Sequence, residues 1–301
     1  MDLDDLWAIA DCYGISIAEQ QRHLVCLDAL PRLQELFERH RLRATLFVVG
    51  KDLESAEYVA AIRRMVAQGH EVANHSWSHR LDFRDATPGE LEAEVIQCHE
   101  TLERTVGRAP VGFRAPGYGY SDALAQVLSE HKYAYDSSLM PGPYGGVFRW
   151  MDQRLQRRGG ASSGRKTQYS QLSDAAKPLL PHRRLGSSLI ELPAATSPLL
   201  RLPFQAGVCM RLGRRYFEAN LKAFARKPEL PLLFLVHAAD VADFSRVARP
   251  FFKSVAYFAT AVDQKMEMLD YFLGRIAAVR RVLTTEEWLR SGEAEQFIRA
   301  S

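Results

Sequence analysis

Polar side chains able to bind a metal or move a proton stand at three points where apolar runs of the sequence end. They are Asp2, Asp4 and Asp5 near the start, His75 and His79 after residues 71–74, and His237 after residues 232–236. Two imidazoles and one carboxylate can hold a catalytic divalent ion that keeps one position open. Such an ion acidifies water and polarises a carbonyl group, which favours attack on an amide or ester near neutral pH. A second carboxylate could accept the proton of the water, and a third imidazole could protonate the leaving amine.

The elements that would bring these groups together are predicted by alternating helical and strand-like patterns. Helical spacing covers residues 28–41, 55–68, 88–106, 121–131 and 216–225, and strand-like runs cover residues 44–49, 71–74, 111–113, 133–135, 190–192 and 232–236. Thr87 is expected to cap the third helix, and Gly107 is expected to end it. The repetition predicts a one-domain α/β fold, either a parallel sheet or a (β/α) barrel. Because loops at the carboxyl ends of parallel strands converge on one rim, the three polar groups can meet there.

Composition excludes several classes of protein. The 301 residues are 25% charged and 47% hydrophobic, proportions that exclude a disordered or collagen-like chain. Residues 151–188 hold eight Lys or Arg against two Asp, a net charge of +6, whereas the rest of the chain sums to −3. This distribution is not typical of a nucleic-acid-binding domain, so no nucleic-acid partner is expected. The Arg, Gly and Ser content of residues 151–188 predicts a flexible basic insertion.

The expected location is the cytoplasm. The first basic side chain is Arg22, so a basic start followed by an apolar run, as in a secretory signal, is not found. The apolar stretch at residues 230–239 is too short to cross a bilayer, which takes about 20 residues. The four cysteines are scattered without paired spacing, which favours buried thiols in a reducing compartment.

Five stretches, in order along the chain, resemble the polysaccharide deacetylase family (the NodB homology domain of carbohydrate esterases): the first resembles the strand before the second motif, and the other four resemble the second to fifth motifs. They are Ala44–Gly50, Gly69–His79, Phe113–Tyr118 with the pattern Arg-x-Pro-x-Gly, Tyr135–Ser138 and Leu235–His237. The resemblance covers residues 2 to 140 and resumes from about residue 188 to residue 290. It implies a single-domain distorted (β/α) barrel spanning residues 1–301.

The resemblance also implies a role for each matching residue. Asp5, His75 and His79 would be the metal ligands, and Asp4 would be the general base, held by Arg114. His237 would be the general acid, and Asp136 would tune it. The border of the oxyanion site would be formed by Pro116, Gly117 and Tyr118. The metal is commonly zinc in this family, so the resemblance implies a divalent metal ion as the cofactor, and Zn²⁺ is the expected ion.

The sequence departs from the family pattern at two places. Leu6 and Trp7 follow the acidic pair where the family usually has Gly-Pro, and Asp2 alternates with Asp4, so Asp2 is the base if the register is shifted. The Trp expected after the fourth motif is replaced at residues 139–140. At these positions the sequence resembles family members that act on small or lipid-linked sugars.

The predicted function is metal-dependent removal of an N-acyl group, acetyl or formyl, from an amino sugar or a lipid-linked sugar. The alternatives are an amidohydrolase of a small non-sugar amide and a catalytically silent carbohydrate-binding protein. The basic insertion and residues 249–258 could contact a phosphate headgroup or an anionic membrane surface. The competing interpretation is a solvated loop at residues 151–188 and a buried core at residues 251–258. The oligomeric state is left open.

Overall fold

The computed structural model describes residues 1–146, 172–184, 186–198, 200–228 and 230–298, and these residues form a seven-stranded sheet. The strands are β1 (Asp2–Leu3), β2 (Thr45–Val48), β3 (Glu71–Asn74), β4 (Gly112–Phe113), β5 (Tyr135–Asp136), β6 (His182–Arg183) and β7 (Ile190–Glu191). Their order across the sheet is β1-β2-β3-β4-β5-β7-β6. Neighbouring strands run parallel except β6 and β7, which pair antiparallel. The carboxyl ends of β1 to β5 therefore lie at one rim.

Helices follow most of the parallel strands, as the alternating pattern predicts. They are α1 (Leu6–Cys12), α2 (Leu24–His40), α3 (Ala56–Ala67), α4 (Pro88–Val106), α5 (Asp122–Glu130), α6 (Ala206–Ala225), α7 (Pro250–Ser254), α8 (Ala256–Ala259), α9 (Val262–Val279) and α10 (Thr285–Arg290). The predicted limits of α4 are confirmed. Thr87 and Glu90 form a reciprocal capping box at its start, and Gly107 takes the left-handed conformation at its end.

Residues 233–237 join the two ends of the parallel sheet. The amide of Asp2 donates to the carbonyl oxygen of Val236 at 2.9 Å, and the amide of Ala195 donates to that of Leu233 at 3.2 Å. Backbone hydrogen bonds therefore run from β1 round to the residues that follow β7, so the predicted distorted (β/α) barrel is confirmed. The strand predicted at residues 232–236 is wrong in extent, because this segment makes single bridges rather than a continuous ladder.

Helix α2 begins at Leu24, four residues before the predicted start at residue 28. A side chain distant in the sequence provides the cap. Oδ1 of Asp5 accepts the backbone amides of Val25 at 3.0 Å and Cys26 at 3.1 Å. These amides have no partner within the helix, so the carboxylate stabilises its first turn.

The aromatic run that precedes α9 is part of the core. Phe251, Phe252 and Phe258 are buried, and their rings pack on those of Tyr13 and Phe244. A membrane contact at residues 249–258 would therefore depend on the basic side chains alone. No helix in the described part of the chain combines the length and apolar character needed to span a bilayer. Three cysteines are buried and Cys12 is half-buried.

Most of the predicted basic insertion, at residues 151–171 and residue 185, lies outside the described residues. The insertion at residues 151–188 and the assignment of residues 1–301 to one domain therefore stay predictions.

Replacing Gly112 by alanine is expected to destabilise the barrel. A Cβ atom at position 112 would overlap the ring of Tyr135, which is buried and fixed because its hydroxyl donates to Oε1 of Glu71 at 2.7 Å. Gly112→Ala should lower the free energy of unfolding by about 1–3 kcal/mol, the usual cost of overpacking. Urea unfolding measures this change. Gly89→Ala is the matched control, because a Cβ there contacts nothing within 4 Å and a helical alanine is favourable; equal stability of the two variants would contradict the prediction.

Candidate active site

One carboxylate and two imidazoles meet at the rim where the parallel strands end. Asp4 follows β1, and His75 and His79 follow β3. The Nε2 atoms of His75 and His79 each lie 3.3 Å from Oδ1 of Asp4. Both imidazoles are buried, and the Asp4 side chain is 16% exposed. These three residues are called the first cluster.

The first cluster fits a divalent ion. Oδ1 of Asp4 is buried and has no hydrogen-bond partner among the described residues. Its separation of 3.3 Å from each imidazole is long for a hydrogen bond. The same separation is close to the roughly 3.4 Å expected between two ligand atoms that each lie about 2.1 Å from a tetrahedral ion. Nδ1 of His75 lies 2.6 Å from the carbonyl oxygen of Arg114, which places the proton on Nδ1 and leaves the Nε2 lone pair available.

The loop that carries both imidazoles is fixed by its own polar side chains. Oδ1 of Asn74 accepts the amide of Ser76 at 2.8 Å, and the hydroxyl of Ser76 accepts the amide of His79 at 3.1 Å. Ser76 and His79 both have positive φ, at 67° and 50°. A non-glycine residue rarely adopts this conformation, and it persists only where the surroundings impose it. The loop therefore holds the imidazoles in place before any ion binds.

Asp2 lies beside the first cluster and is paired with a buried arginine. Oδ1 of Asp2 accepts a hydrogen bond from Arg114 at 2.6 Å. Arg114 also donates to the carbonyl oxygen of Ser137 at 3.0 Å and to its hydroxyl at 2.8 Å. Burial would raise the pKa of Asp2, but Arg114, followed by His75 and His237, outweighs burial and lowers this pKa. Asp2 is therefore held as a carboxylate.

His237 faces Asp2 from residues 233–237. Its Nε2 lies 3.8 Å from Oδ2 of Asp2, and its side chain is 28% exposed. Oδ2 of Asp240 accepts the backbone amide of His237 at 2.8 Å and lies 3.9 Å from Nδ1 of the same imidazole. The other oxygen of Asp240 accepts a hydrogen bond from the hydroxyl of Tyr257. Asp240 is thus a carboxylate placed to orient His237. The tuning of His237 by Asp136 stays a prediction.

Asp136 instead lies beside a second buried carboxyl group. It pairs in register with Glu191 of β7, and neither side chain is exposed. Oδ1 of Asp136 accepts from the hydroxyl of Ser138, and Oε1 of Glu191 accepts the amide of Leu139 at 2.9 Å. Burial raises the pKa of Asp136 to about 6, and burial followed by the charge of Asp136 raises the pKa of Glu191 well above its ordinary value. Two adjacent buried carboxyl groups thus hold their protons more tightly than exposed ones do.

The sequence predicts Asp5 as a ligand beside His75 and His79, whereas the carboxylate beside both imidazoles is that of Asp4; the ligand role itself stays a prediction. Because β1 ends at Leu3 and α1 begins at Leu6, Asp5 takes the N-cap position of α1, with φ −84° and ψ 171°. Its Oδ1 accepts amides from the first turns of α1 and α2. Asp4 takes the place expected for Asp5. Geometry therefore favours the shifted register, in which Asp2 is the base.

The turn at Pro116–Tyr118 follows β4 at the same rim. Gly117 and Tyr118 have φ of 60° and 58°, so two consecutive residues are left-handed. For a tyrosine this conformation costs about 1–2 kcal/mol. The hydroxyl of Tyr118 donates to Oε1 of Gln205 at 2.9 Å and holds the side chain. Strained backbone is typical of functional sites, and the oxyanion role of Pro116, Gly117 and Tyr118 stays a prediction.

Sequence reasoning missed two supporting residues, Asp240 and Ser137. Asp240 had a signal, because an acidic residue three positions after His237 can reach back to the amide of that residue, as in a capping box. Ser137 had none, because its contact depends on the side chain of Arg114 reaching from β4 to the end of β5.

Comparison with known proteins found similar sequences and a similar fold. A family model described as polysaccharide deacetylase matches residues 26–135. The match contains His75, His79, Arg114 and the turn at residues 116–118, whereas the acidic residues before α1 and His237 lie outside it. A peptidoglycan deacetylase from Helicobacter pylori is 31% identical over 166 residues, which are 55% of this chain and 52% of that protein.

Two further relatives extend the comparison. A chitooligosaccharide deacetylase from a Bradyrhizobium strain is 38% identical over 97 residues, 32% of this chain and 43% of that protein. The chain thus spans about half the length of the curated relatives it matches. A crystal structure assigned to the polysaccharide deacetylases, from Mycobacterium smegmatis, is 19% identical with a TM-score of 0.61, covering 100% of this chain and 90% of the other. This likeness concerns the fold and agrees with the barrel.

Replacing Glu191 by glutamine is expected to reduce the loss of stability on going from acid to neutral pH. The folded state holds the protons of Asp136 and Glu191 more tightly than the unfolded state does. Their contribution is therefore present below about pH 4 and is lost as the pH rises through about 6 and beyond, by up to about 1.4 kcal/mol per pH unit for each proton. The amide of the variant can donate to Asp136 at every pH.

Urea unfolding of wild type and Glu191→Gln at pH 5, 6 and 7 measures this difference, with the exposed Glu100→Gln as the control. The decline in unfolding free energy should be smaller in Glu191→Gln by about 1 kcal/mol or more. Parallel pH curves for wild type and Glu191→Gln would show that the pair holds no extra proton.

Proposed function

We propose that this chain, whose residues 26–135 match the polysaccharide deacetylase family model, hydrolyses the N-acyl group, acetyl or formyl, of an amino sugar. The observation that carries the proposal is the first cluster at the barrel rim, with the paired carboxylate of Asp2 beside it. This combination supplies metal ligands and a separate proton acceptor within one site. The deacetylases among its relatives favour an amide of an acetylated sugar as the bond that is broken.

Asp4, His75 and His79 are the proposed ligands of a divalent ion, and zinc suits one carboxylate with two imidazoles. When bound, the ion supplies Lewis-acid chemistry that acidifies water and polarises the amide carbonyl. Asp2 is the proposed general base that takes the proton of the attacking water. Arg114 keeps Asp2 ionised and aligned, because its guanidinium is fixed by two contacts to the same serine.

His237 is the proposed general acid that protonates the leaving amine. It lies across Asp2 and retains access to solvent, as a group that exchanges protons during turnover requires. Asp240 is a positioning residue, because it holds the backbone of His237 and faces Nδ1. Asp136 takes no part in the proton transfer in this proposal, since its carboxyl is paired with Glu191.

The proposed substrate is an N-acylated amino sugar, free, in an oligosaccharide or linked to a lipid. Peptidoglycan and chitooligosaccharides, the substrates in the names of two relatives, both contain such sugars. The cytoplasmic location and the contact with an anionic membrane surface stay predictions, and so does the identity of the ion as Zn²⁺.

Asn substitutions at Asp2 and Asp4 should separate the base from the ligand. Asp2→Asn should retain all bound metal and lose turnover by about 10²–10⁴-fold, the usual contribution of a general base. Asp4→Asn should lose one equivalent of metal together with turnover, because the ligand itself is gone. Metal analysis and acyl release are measured on each variant, with circular dichroism as the folding control. Loss of metal in Asp2→Asn and its retention in Asp4→Asn would reverse the assignment.

The substrate class is tested by measuring released acetate and formate from four kinds of amide. Chitooligosaccharides, peptidoglycan fragments and a lipid-linked N-acetyl amino sugar represent the proposal, and a small non-sugar amide represents the alternative. Release from at least one sugar, abolished by a chelator and restored by Zn²⁺, is the expected result. Release from the small amide alone would overturn the sugar assignment. Metal-replete, folded protein that is inactive on all four would overturn the proposed activity.

A further inference from the structure

A second cluster of ligand-type side chains begins at the residue after Asp4. It consists of Asp5, His23 and Asp52, whose ligand atoms all lie within 4.8 Å of one another. Nδ1 of His23 lies 3.4 Å from Oδ2 of Asp5 and 3.4 Å from Oδ1 of Asp52. Both carboxylates are fully buried, and the side chain of His23 is 23% exposed. These three residues are called the second cluster.

One polar atom of each residue in the second cluster has no hydrogen bond among the described residues. Oδ2 of Asp5, Oδ2 of Asp52 and Nδ1 of His23 are buried without a hydrogen bond to any described residue. The hydroxyl of Tyr58, whose side chain is fully buried, is equally unsatisfied, and its ring centroid lies 6.1 Å from that of His23. Buried polar atoms nearly always have a partner, so four exceptions in one place point to a missing bound species.

The carboxylates are held in position by contacts that leave these atoms free. Oδ1 of Asp5 accepts three backbone amides at the starts of α1 and α2, which directs Oδ2 towards His23. Oδ1 of Asp52 accepts the indole N–H of Trp7 at 2.5 Å. The second cluster is therefore built by fixed elements rather than by mobile surface side chains.

Distance and charge both favour a divalent ion as the missing species. The 3.4 Å separations are long for hydrogen bonds but match the roughly 3.4 Å between ligands of a tetrahedral ion at about 2.1 Å, as in the first cluster. A proton on His23 would neutralise only one of the two buried carboxylates. A divalent ion bound to all three residues neutralises both, and buried charges need such compensation.

We propose that Asp5, His23 and Asp52 bind a second divalent transition-metal ion, separate from the ion of the first cluster. Two carboxylates and an imidazole suit Zn²⁺ or Mn²⁺. The ion would tie together the starts of α1 and α2 and the turn at residues 50–54, next to the peptide bond that joins Asp4 to Asp5. Its role would be to position Asp4, and the inference does not depend on the hydrolytic activity.

Counting bound Zn²⁺ tests the second site. The 301-residue chain is freed of metal with a chelator and titrated with Zn²⁺, and the bound metal is measured after removal of excess ion. Wild type should bind two equivalents, His23→Gln and His79→Gln one each, and the double variant none. Asp52→Asn should also bind one, which guards against a folding defect specific to His23→Gln. His131→Gln, at a surface pair with Glu92, is the matched control and should keep two.

Circular dichroism and the melting temperature confirm that each variant is folded. If wild type binds one equivalent that His79→Gln loses and His23→Gln keeps, the second cluster holds a proton on His23 and the inference is overturned. If the single equivalent is lost in His23→Gln and kept in His79→Gln, the second site stands and the metal role of the first cluster fails. The two proposals are thus distinguished by the same titration.

Discussion

The buried contact between Arg114 and Asp2 is the interaction on which the geometry of the site depends. The guanidinium reaches from the end of β4 to Asp2 in β1 and to Ser137 after β5, and it lies 4.1 Å above the ring centroid of Phe47. The backbone carbonyl of Arg114 also accepts from His75 and sets the proton position of that imidazole. One residue therefore fixes both the proposed proton acceptor, Asp2, and one imidazole of the first cluster, His75. Separating a buried arginine from its carboxylate would cost about 3–5 kcal/mol of stability. The contact therefore holds β1, β4 and β5 in one relative position.

The fold could be predicted from the sequence because its main signals are local. The helix at residues 88–106 is specified by a capping box and a terminal glycine, all within its own segment. The start of α2 could not be predicted, because Asp5 caps it from nineteen or more residues away in the sequence. The segment at residues 232–236 has the composition of a strand, but it lies where the barrel closes and makes only single bridges. The composition of an apolar segment indicates that it is buried, but it does not indicate which strands the segment pairs with.

The candidate site could be predicted as a set of residues but not as a set of roles. The rim at which these residues lie could be predicted, because the sequence shows where each parallel strand ends. It carries His75, His79, Arg114 and His237. The roles of the acidic residues depend on the point where β1 stops, and a two-residue strand gives no periodicity to locate it. The contact of Asp136 with Glu191 could not be predicted for a related reason, since it is set by the register of β5 with β7.

Four buried or partly buried carboxylates lie at this rim, and the negative charge of each has to be compensated. The compensation differs from one to the next. Asp2 is neutralised by Arg114, and Asp136 lies beside Glu191 of β7, where burial raises its pKa. Asp4 and Asp5 are adjacent in the sequence, but β1 ends before them and their side chains diverge into the first and second clusters. Each cluster places carboxylate oxygens 3.3–3.4 Å from imidazole nitrogens. Oδ1 of Asp4 in the first cluster and Oδ2 of Asp5 in the second have no hydrogen bond among the described residues. An uncompensated carboxylate is costly away from water. The cation proposed for each cluster would compensate its carboxylates. Asp4 of the first cluster is joined by one peptide bond to Asp5, which caps α1 and α2, so the two proposed sites are adjacent in the chain.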